Sequence, residues 1–299
     1  MKKFKNFIVK TFHSWKKDGA LSEGAALSFY SIVAFPALIL SLLFIAGIFL
    51  EKETIQKELI FQSHFLFGNQ GTVIVEQIIQ NVPSQNTLKL ASIFTLVILL
   101  FGAMGFFEQL QTALNKIWNV TPKTHLGWKG FFKNKALTFL MVLGLGGLII
   151  STLFIEFILS FVLPFVQAKI PLSADLLQMA GLSLGFFITT FVFAFMYKYL
   201  PQVKIQWRDV FIGAIITSIL FTLGKYIIGF YLGKSQIATA YGAAGSLVAF
   251  LLWVYYSSQV IFLGAEFTQS YANIYGSKIK PDKDALRTDS FWNKLFRKI

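Results

Sequence analysis

The chain has 299 residues, 55% of them hydrophobic and 34 of them Phe, with a mean hydropathy of +0.63, more apolar surface than a soluble domain of this length can bury. Its net charge of +13 lies in the gaps between apolar stretches rather than in one patch, which speaks for membrane topology and against a nucleic-acid partner. The absence of cysteine excludes disulfides, thiolate metal sites and Cys nucleophiles.

Residues 1–27 form a basic amphipathic segment. Phe4, Phe7, Ile8, Phe12 and Trp15 recur at helical spacing among lysines, the pattern of a helix lying in an anionic inner leaflet. A solvated basic end is the plainer alternative. The segment lacks the short apolar core and cleavage site of a secretory signal. Six stretches then reach the roughly 20 apolar residues needed to cross a bilayer: 28–50, 88–107, 136–165, 176–197, 211–232 and 244–265. In the first, Pro36 frees a backbone carbonyl near residue 32, which needs a partner from another helix or water. Between the first two spans, the loop 51–87 is rich in Leu, Ile and Val and predicts two short amphipathic helices capping the outer face. The third span is long and either tilts or begins in the interface at Trp128, Phe131 and Phe132. The basic tail 267–299 repeats the amphipathic device with Phe291, Trp292, Leu295, Phe296 and Ile299. The fold class is therefore all-α: a polytopic membrane bundle spanning residues 28–266, flanked by interfacial helices.

Positive charge orients it. Lysines 2, 3, 5, 10, 16 and 17 precede the first span; Lys116, Lys123, Lys129, Lys133 and Lys135 follow the second; Lys198, Lys204 and Arg208 follow the fourth; and the tail is basic throughout. The opposite side has only Lys52, Lys57, Lys89, Lys169 and Lys234. The rich side is cytoplasmic, so both termini are placed inside, in a multi-pass protein of a plasma membrane.

No HExxH, phosphate-binding loop or GxSxG occurs, and the 14 acidic residues are scattered, so neither a catalytic set, a metal site nor a cofactor is expected. Ionisable groups in or against the membrane are the functional candidates. Glu108, Gln111 and Asn115 repeat the spacing of Glu266, Gln269 and Asn273, which puts each trio on one helical face. The two stripes would then face each other across a water-accessible mouth at the cytoplasmic level; ordinary wet helix ends are the alternative. Glu156 and Lys225 lie deeper, about 12 Å and about 10 Å from the outer helix ends, where they either share a polar region or snorkel separately. Small residues, Gly181 with Gly185 among them, favour close helix packing.

Several motifs resemble one family. GAALSFYSIVAFP ends at Pro36; ALNKIW ends at Trp118; YKYLP ends at Pro201, followed by Trp207 and Gly213–Ala214; YGAAGSLVAFLLWVYY holds Tyr241, Gly242, Gly245 and Trp253; and GAE holds Gly264, Ala265 and Glu266. Together and in this order they resemble the YihY/BrkB family of bacterial inner-membrane proteins, once mislabelled ribonuclease BN. The resemblance covers nearly the whole chain. It implies six helices, cytoplasmic termini and an unsettled activity, with transport of lipid or another envelope component the usual suspicion. A transporter or lipid-handling protein is the leading expectation, a scaffold that recruits partners through its basic ends is the alternative, and a membrane-bound nuclease comes last. Anionic inner-leaflet lipids are the expected partners; a homo-oligomer or an envelope protein partner stays open.

Overall fold

A computed structural model describes residues 2–46, 52–80, 91–123, 174–234, 241 and 244–288. The third predicted span, with Glu156, and the apolar face of residues 291–299 lie outside the described residues. The described parts of the remaining predicted spans coincide with helices, to within a residue at 244: α2 (Ala20–Ala46), α4 (Ala91–Ile117), α5 (Ala174–Tyr199), α6 (Trp207–Lys234) and α7 (Gly245–Ile274), with 47–50 and 88–90 outside the described residues. Two more helices, α1 (Lys2–Lys17) and α3 (Lys52–Gln80), precede α4. Trp207–Ile228 and Gly245–Ile274 are long and apolar enough to cross a membrane.

α1 ends with Lys16 and Lys17 in its last turn, where cations complement the helix dipole. The chain turns at Gly19, whose φ of +71° lies in the left-handed region that glycine adopts without penalty. The carbonyl of Gly19 then accepts the amides of Ser22 and Glu23 and opens α2. The apolar residues of α1 divide between two surroundings. Phe7 is buried, edge-on to Phe267 of α7 at 5.0 Å and near Tyr275 at 6.2 Å. Ile8, Val9 and Phe12 face outward. Half of the expected lipid-seeking face is thus a protein contact, because α7 extends far enough past its apolar segment to offer an aromatic seat.

α3 doubles back on itself. Ser63 Oγ lies 3.3 Å from Thr72 Oγ1, although nine residues of straight helix would separate them by about 13 Å along the axis. Its two arms pack together through Ile55 and Leu59 on one and Val75 and Ile79 on the other, with Ile39 of α2 in the same cluster.

Two short antiparallel ladders close one end of the bundle. β1 (Val120–Pro122) follows α4 and pairs with β4 (Ala285–Arg287). β2 (Val203–Lys204) joins α5 to α6 and pairs with β3 (Lys280–Pro281). The segment after α7 therefore straps both connections. Asp209, buried in the first turn of α6, accepts hydrogen bonds from the Ser277 amide at 2.9 Å and its hydroxyl at 2.7 Å. Lys198 donates to the carbonyl of Ile205 across the α5–α6 connection. Among the described residues, Lys17, Lys116, Lys123, Lys204, Lys280, Lys283 and Arg287 stand at or next to these connections.

α6 and α7 run antiparallel through a reciprocal clasp. Each carries a glycine four residues before a threonine: Gly213 and Thr217, Gly264 and Thr268. Thr268 occupies the space a side chain at Gly213 would need, and Thr217 the space at Gly264. Each threonine donates back to its own helix, Thr217 to the Gly213 carbonyl at 2.8 Å and Thr268 to the Gly264 carbonyl at 2.7 Å. The hydroxyls are thus satisfied inside the helix, as apolar surroundings require. Tyr197 of α5, fully buried, caps the clasp by donating to the Ile261 carbonyl at 2.7 Å and lying 3.0 Å from Thr217 Oγ1. Farther along, Phe221 meets Trp253 edge-on at 6.0 Å.

A methyl group at residue 264 would overlap the Thr217 side chain and the Tyr197 hydroxyl. Gly264→Ala should therefore destabilise the purified protein by about 1–3 kcal/mol, the range of overpacked cores. Adding Thr217→Ala should recover part of the loss in thermal unfolding. Full additivity of the two substitutions would contradict the clasp.

Candidate functional site

At the strapped end, α7 carries one fully buried acid. Glu266 has 0% exposure, and neither carboxyl oxygen receives a hydrogen bond from an N–H or hydroxyl group among the described residues. The helix around it is fixed on both sides. Trp118 donates its indole N–H to the Ala265 carbonyl at 3.2 Å, and Gln269 donates to the Ile117 carbonyl at 2.7 Å. Both contacts lock α7 to the end of α4, so Glu266 cannot swing out by a small helix rotation.

Its neighbour is Asp18, in the turn between α1 and α2, whose carboxyl group is within hydrogen-bonding reach. Two ionised carboxylates have no donor to share and repel each other, which favours a proton between them. Around the turn sits a compact ionic frame. Lys116 of α4 pairs with Glu23 at 2.9 Å, and Gln109 donates to the other Glu23 oxygen at 2.9 Å. The Lys116 ammonium lies against Gly19, where a side chain would crowd it. Burial raises the Asp18 carboxyl above its ordinary range; the hydrogen bond to Glu266 and the charges of Lys17 and Lys116 oppose that rise without cancelling it. The cluster is a carboxyl pair that joins the turn after α1 to the last long helix.

The residues singled out by spacing are distributed differently from the expected mouth. Gln111 donates to the Leu200 carbonyl at 2.8 Å, and Asn115, buried, accepts the Gln202 amide at 2.8 Å. Both hold the turn around the buried Pro201 rather than facing α7. Glu108 is half-buried one turn earlier, and its carbonyl accepts the Thr112 hydroxyl. On α7, Gln269 bonds the end of α4, and Asn273 accepts the Ile279 amide at 3.4 Å. The two trios do lie along helix faces, but backbone groups in the tight connections claim their amides. Of the six, Gln269 and Asn273 line one cavity at this end of the bundle. Lys225 is half-buried on α6, beside Gly224, which gives room to the Tyr256 ring; its proposed partner Glu156 lies outside the described residues, as does Gly242.

Most of the family-motif positions are buried or half-buried. Pro36 is half-buried inside α2; Trp118, Gly245 and Trp253 are buried; Gly264 and Ala265 form the clasp and the Trp118 acceptor; Tyr241 is exposed. The candidate residue that spacing missed is Asp18. Its only local signal is an Asp-Gly pair directly after an amphipathic helix, which marks a turn and nothing more.

Beside the carboxyl pair is a cavity of about 210 Å³. Lys17, Trp118, Asn119, Gln269, Asn273 and Arg287 contribute to its walls. β1–β4 pairing brings Arg287 there, opposite Val120.

The family described as Virulence factor BrkB matches residues 11–288. A UPF0761 membrane protein of Legionella pneumophila is 27% identical over 280 residues, 90% of this chain and 62% of its own length. A UPF0761 membrane protein of Chromobacterium violaceum is 29% identical over 67% of this chain and 45% of its own length. One from Glaesserella parasuis is 26% identical over 73% of each chain. The chain spans only about half to three-fifths of the length of the first two relatives. No solved structure matches.

The raised Asp18 carboxyl has a defined consequence for stability. A folded value above the unfolded one stabilises the fold fully below the ordinary carboxyl value of 3.8. That contribution disappears as pH rises through the folded value. Thermal unfolding followed upward from about pH 4 should show the wild-type protein losing stability as pH rises, with Asp18→Asn lacking that component. Parallel pH profiles for the two proteins would contradict the assignment.

Proposed function

Because the chain belongs to the Virulence factor BrkB family, we propose that it is a multi-pass inner-membrane transporter or lipid-handling protein, with about six crossings and both termini in the cytoplasm. The strapped end is then the cytoplasmic end, in keeping with its excess of Lys and Arg. The observation that carries the reading is the wholly buried Glu266 in contact with Asp18. A bundle built only for anchorage gains nothing from burying a carboxyl group without a cation beside it, since an apolar side chain would be cheaper there. A shared proton between a turn and a spanning helix provides a coupling element instead: losing it leaves adjacent like charges and favours separation of α7 from the α1–α2 turn. The substrate class is a lipid or another envelope component, and we propose no enzymatic activity and no nucleic-acid partner.

A scaffold is the second reading. It is favoured by the outward-facing Ile8, Val9 and Phe12 on α1, together with the use of Gln111, Asn115 and Gln269 as helix ties. These features equip the strapped end to lie on an anionic leaflet or to hold a partner.

Proteoliposomes containing the purified protein distinguish the two. Lipid exchange or solute flux should respond to an imposed pH gradient, and Glu266→Gln should abolish the response while leaving insertion intact. Membrane sidedness is read in the same preparation: cysteine at exposed Lys57 should label from the face opposite that of cysteines at exposed Lys204 and Lys283. Flux that is equal in wild type and Glu266→Gln, or absent from both, favours the scaffold. Labelling of Lys57 and Lys204 from one face would overturn the topology.

A further inference from the structure

The cavity beside the carboxyl pair has a chemistry of its own. Its walls include the cations Lys17 and Arg287 and the amides of Asn119, Gln269 and Asn273, with no carboxylate among the lining residues. A wall of this composition repels cations and offers donors. The Asn273 carbonyl oxygen is already taken by the Ile279 amide, which leaves its NH2 group as the part able to serve a guest. Gln269 is likewise held by its bond to the Ile117 carbonyl, so its amide is positioned by the backbone of α4. Among the described residues, neither Lys17 nor Arg287 forms an ion pair. Both cations line one cavity, and the β1–β4 ladder holds Arg287 there.

We propose that this cavity binds a phosphate-bearing anion. Arg287 supplies a planar fork suited to two phosphate oxygens, Lys17 a mobile point charge, and Asn273 a neutral donor that fixes orientation. At about 210 Å³ the space is below the roughly 300 Å³ at which pockets for whole drug-sized ligands begin. It therefore suits a charged group with the rest of its molecule outside. The site draws on five separate parts of the chain: the end of α1, the connection after α4, the last turns of α7, the segment at β3 and strand β4. An anion bound there ties the strap to the bundle and sits next to Lys17, which also acts on Asp18. This inference does not depend on the transport reading.

The group is either the phosphate of an anionic phospholipid or that of a soluble phosphate ester, and the two are separable. The full-length protein in detergent is titrated with inorganic phosphate, with sodium chloride at matched ionic strength as the control. In parallel, it is placed in phosphatidylcholine nanodiscs with or without phosphatidic acid, and thermal unfolding is followed in both series. Saturable protection is expected from one or both probes beyond the salt control. Protection by phosphate alone assigns a soluble group; protection by phosphatidic acid alone assigns a headgroup. Lys17→Gln and Arg287→Gln should each weaken binding roughly tenfold, the loss expected for one charge-assisted contact. Asn273→Asp keeps the acceptor used by Ile279 and adds a negative charge, so it should abolish protection without unfolding the strap. Lys10→Gln, on the exposed side of α1, should bind as wild type. Protection matched by chloride, unchanged in Asn273→Asp, or absent with both probes would overturn the site.

Discussion

A carboxyl group taken wholly out of water must be neutralised, paired with a cation or hydrogen-bonded. Otherwise, it costs several kcal/mol that a marginally stable protein cannot spare. Among the described residues neither Glu266 oxygen has an N–H or hydroxyl donor, and its neighbour is a second acid. Two acids this close favour a proton held between Asp18 and Glu266, because the charged forms repel and the buried one is desolvated. Much of the strapped end is organised so that the two groups stay together: Gly19 lets the chain turn Asp18 toward α7, Lys116 and Glu23 brace that turn, and Trp118 and Gln269 fix the rotation of α7.

The clasp between α6 and α7 supplies the rigidity this needs. Within a membrane, apolar side chains gain little by leaving lipid for each other, so close backbone approach and satisfied hydroxyls carry helix association. Gly264 and Thr268 flank Glu266 on the same helix, and both are engaged with α6 or α5. The small residues that hold the helices together are thus within two residues of the buried acid, and loosening the clasp disturbs the acid directly. The two β-ladders extend the same logic to the connections. By tying both of them to the segment after α7, they make the whole end of the bundle respond as one piece.

Much of this was legible in the sequence at the level of elements. Apolar runs of spanning length coincide with α2, α4, α5, α6 and α7, because hydropathy and helix length are local properties. The amphipathic pattern of the first residues is a helix, and the equal spacing in the two polar trios reflects true helical faces. What those faces meet was not legible. Gln111 and Asn115 bind backbone atoms of residues 200 and 202, and a backbone partner leaves no trace in side-chain type. The ladders were missed because two- or three-residue strands show no alternation to detect. Asp18 was missed because a turn aspartate next to lysines reads as solvated, and only the approach of α7, 248 residues away in sequence, makes it part of a buried pair. Phe7 shows the same limit: its spacing identifies an apolar face, but not whether lipid or Phe267 covers it.

The proton between Asp18 and Glu266 is the central claim, and infrared spectroscopy of the protein in lipid at neutral pH tests it most directly. The account predicts a protonated-carboxyl C=O stretch, shielded from rapid hydrogen–deuterium exchange, that disappears in Glu266→Gln and shifts in Asp18→Asn. If the wild-type spectrum shows only ionised carboxylates, or if the band survives both substitutions unchanged, the pair does not hold the proton and the account is wrong.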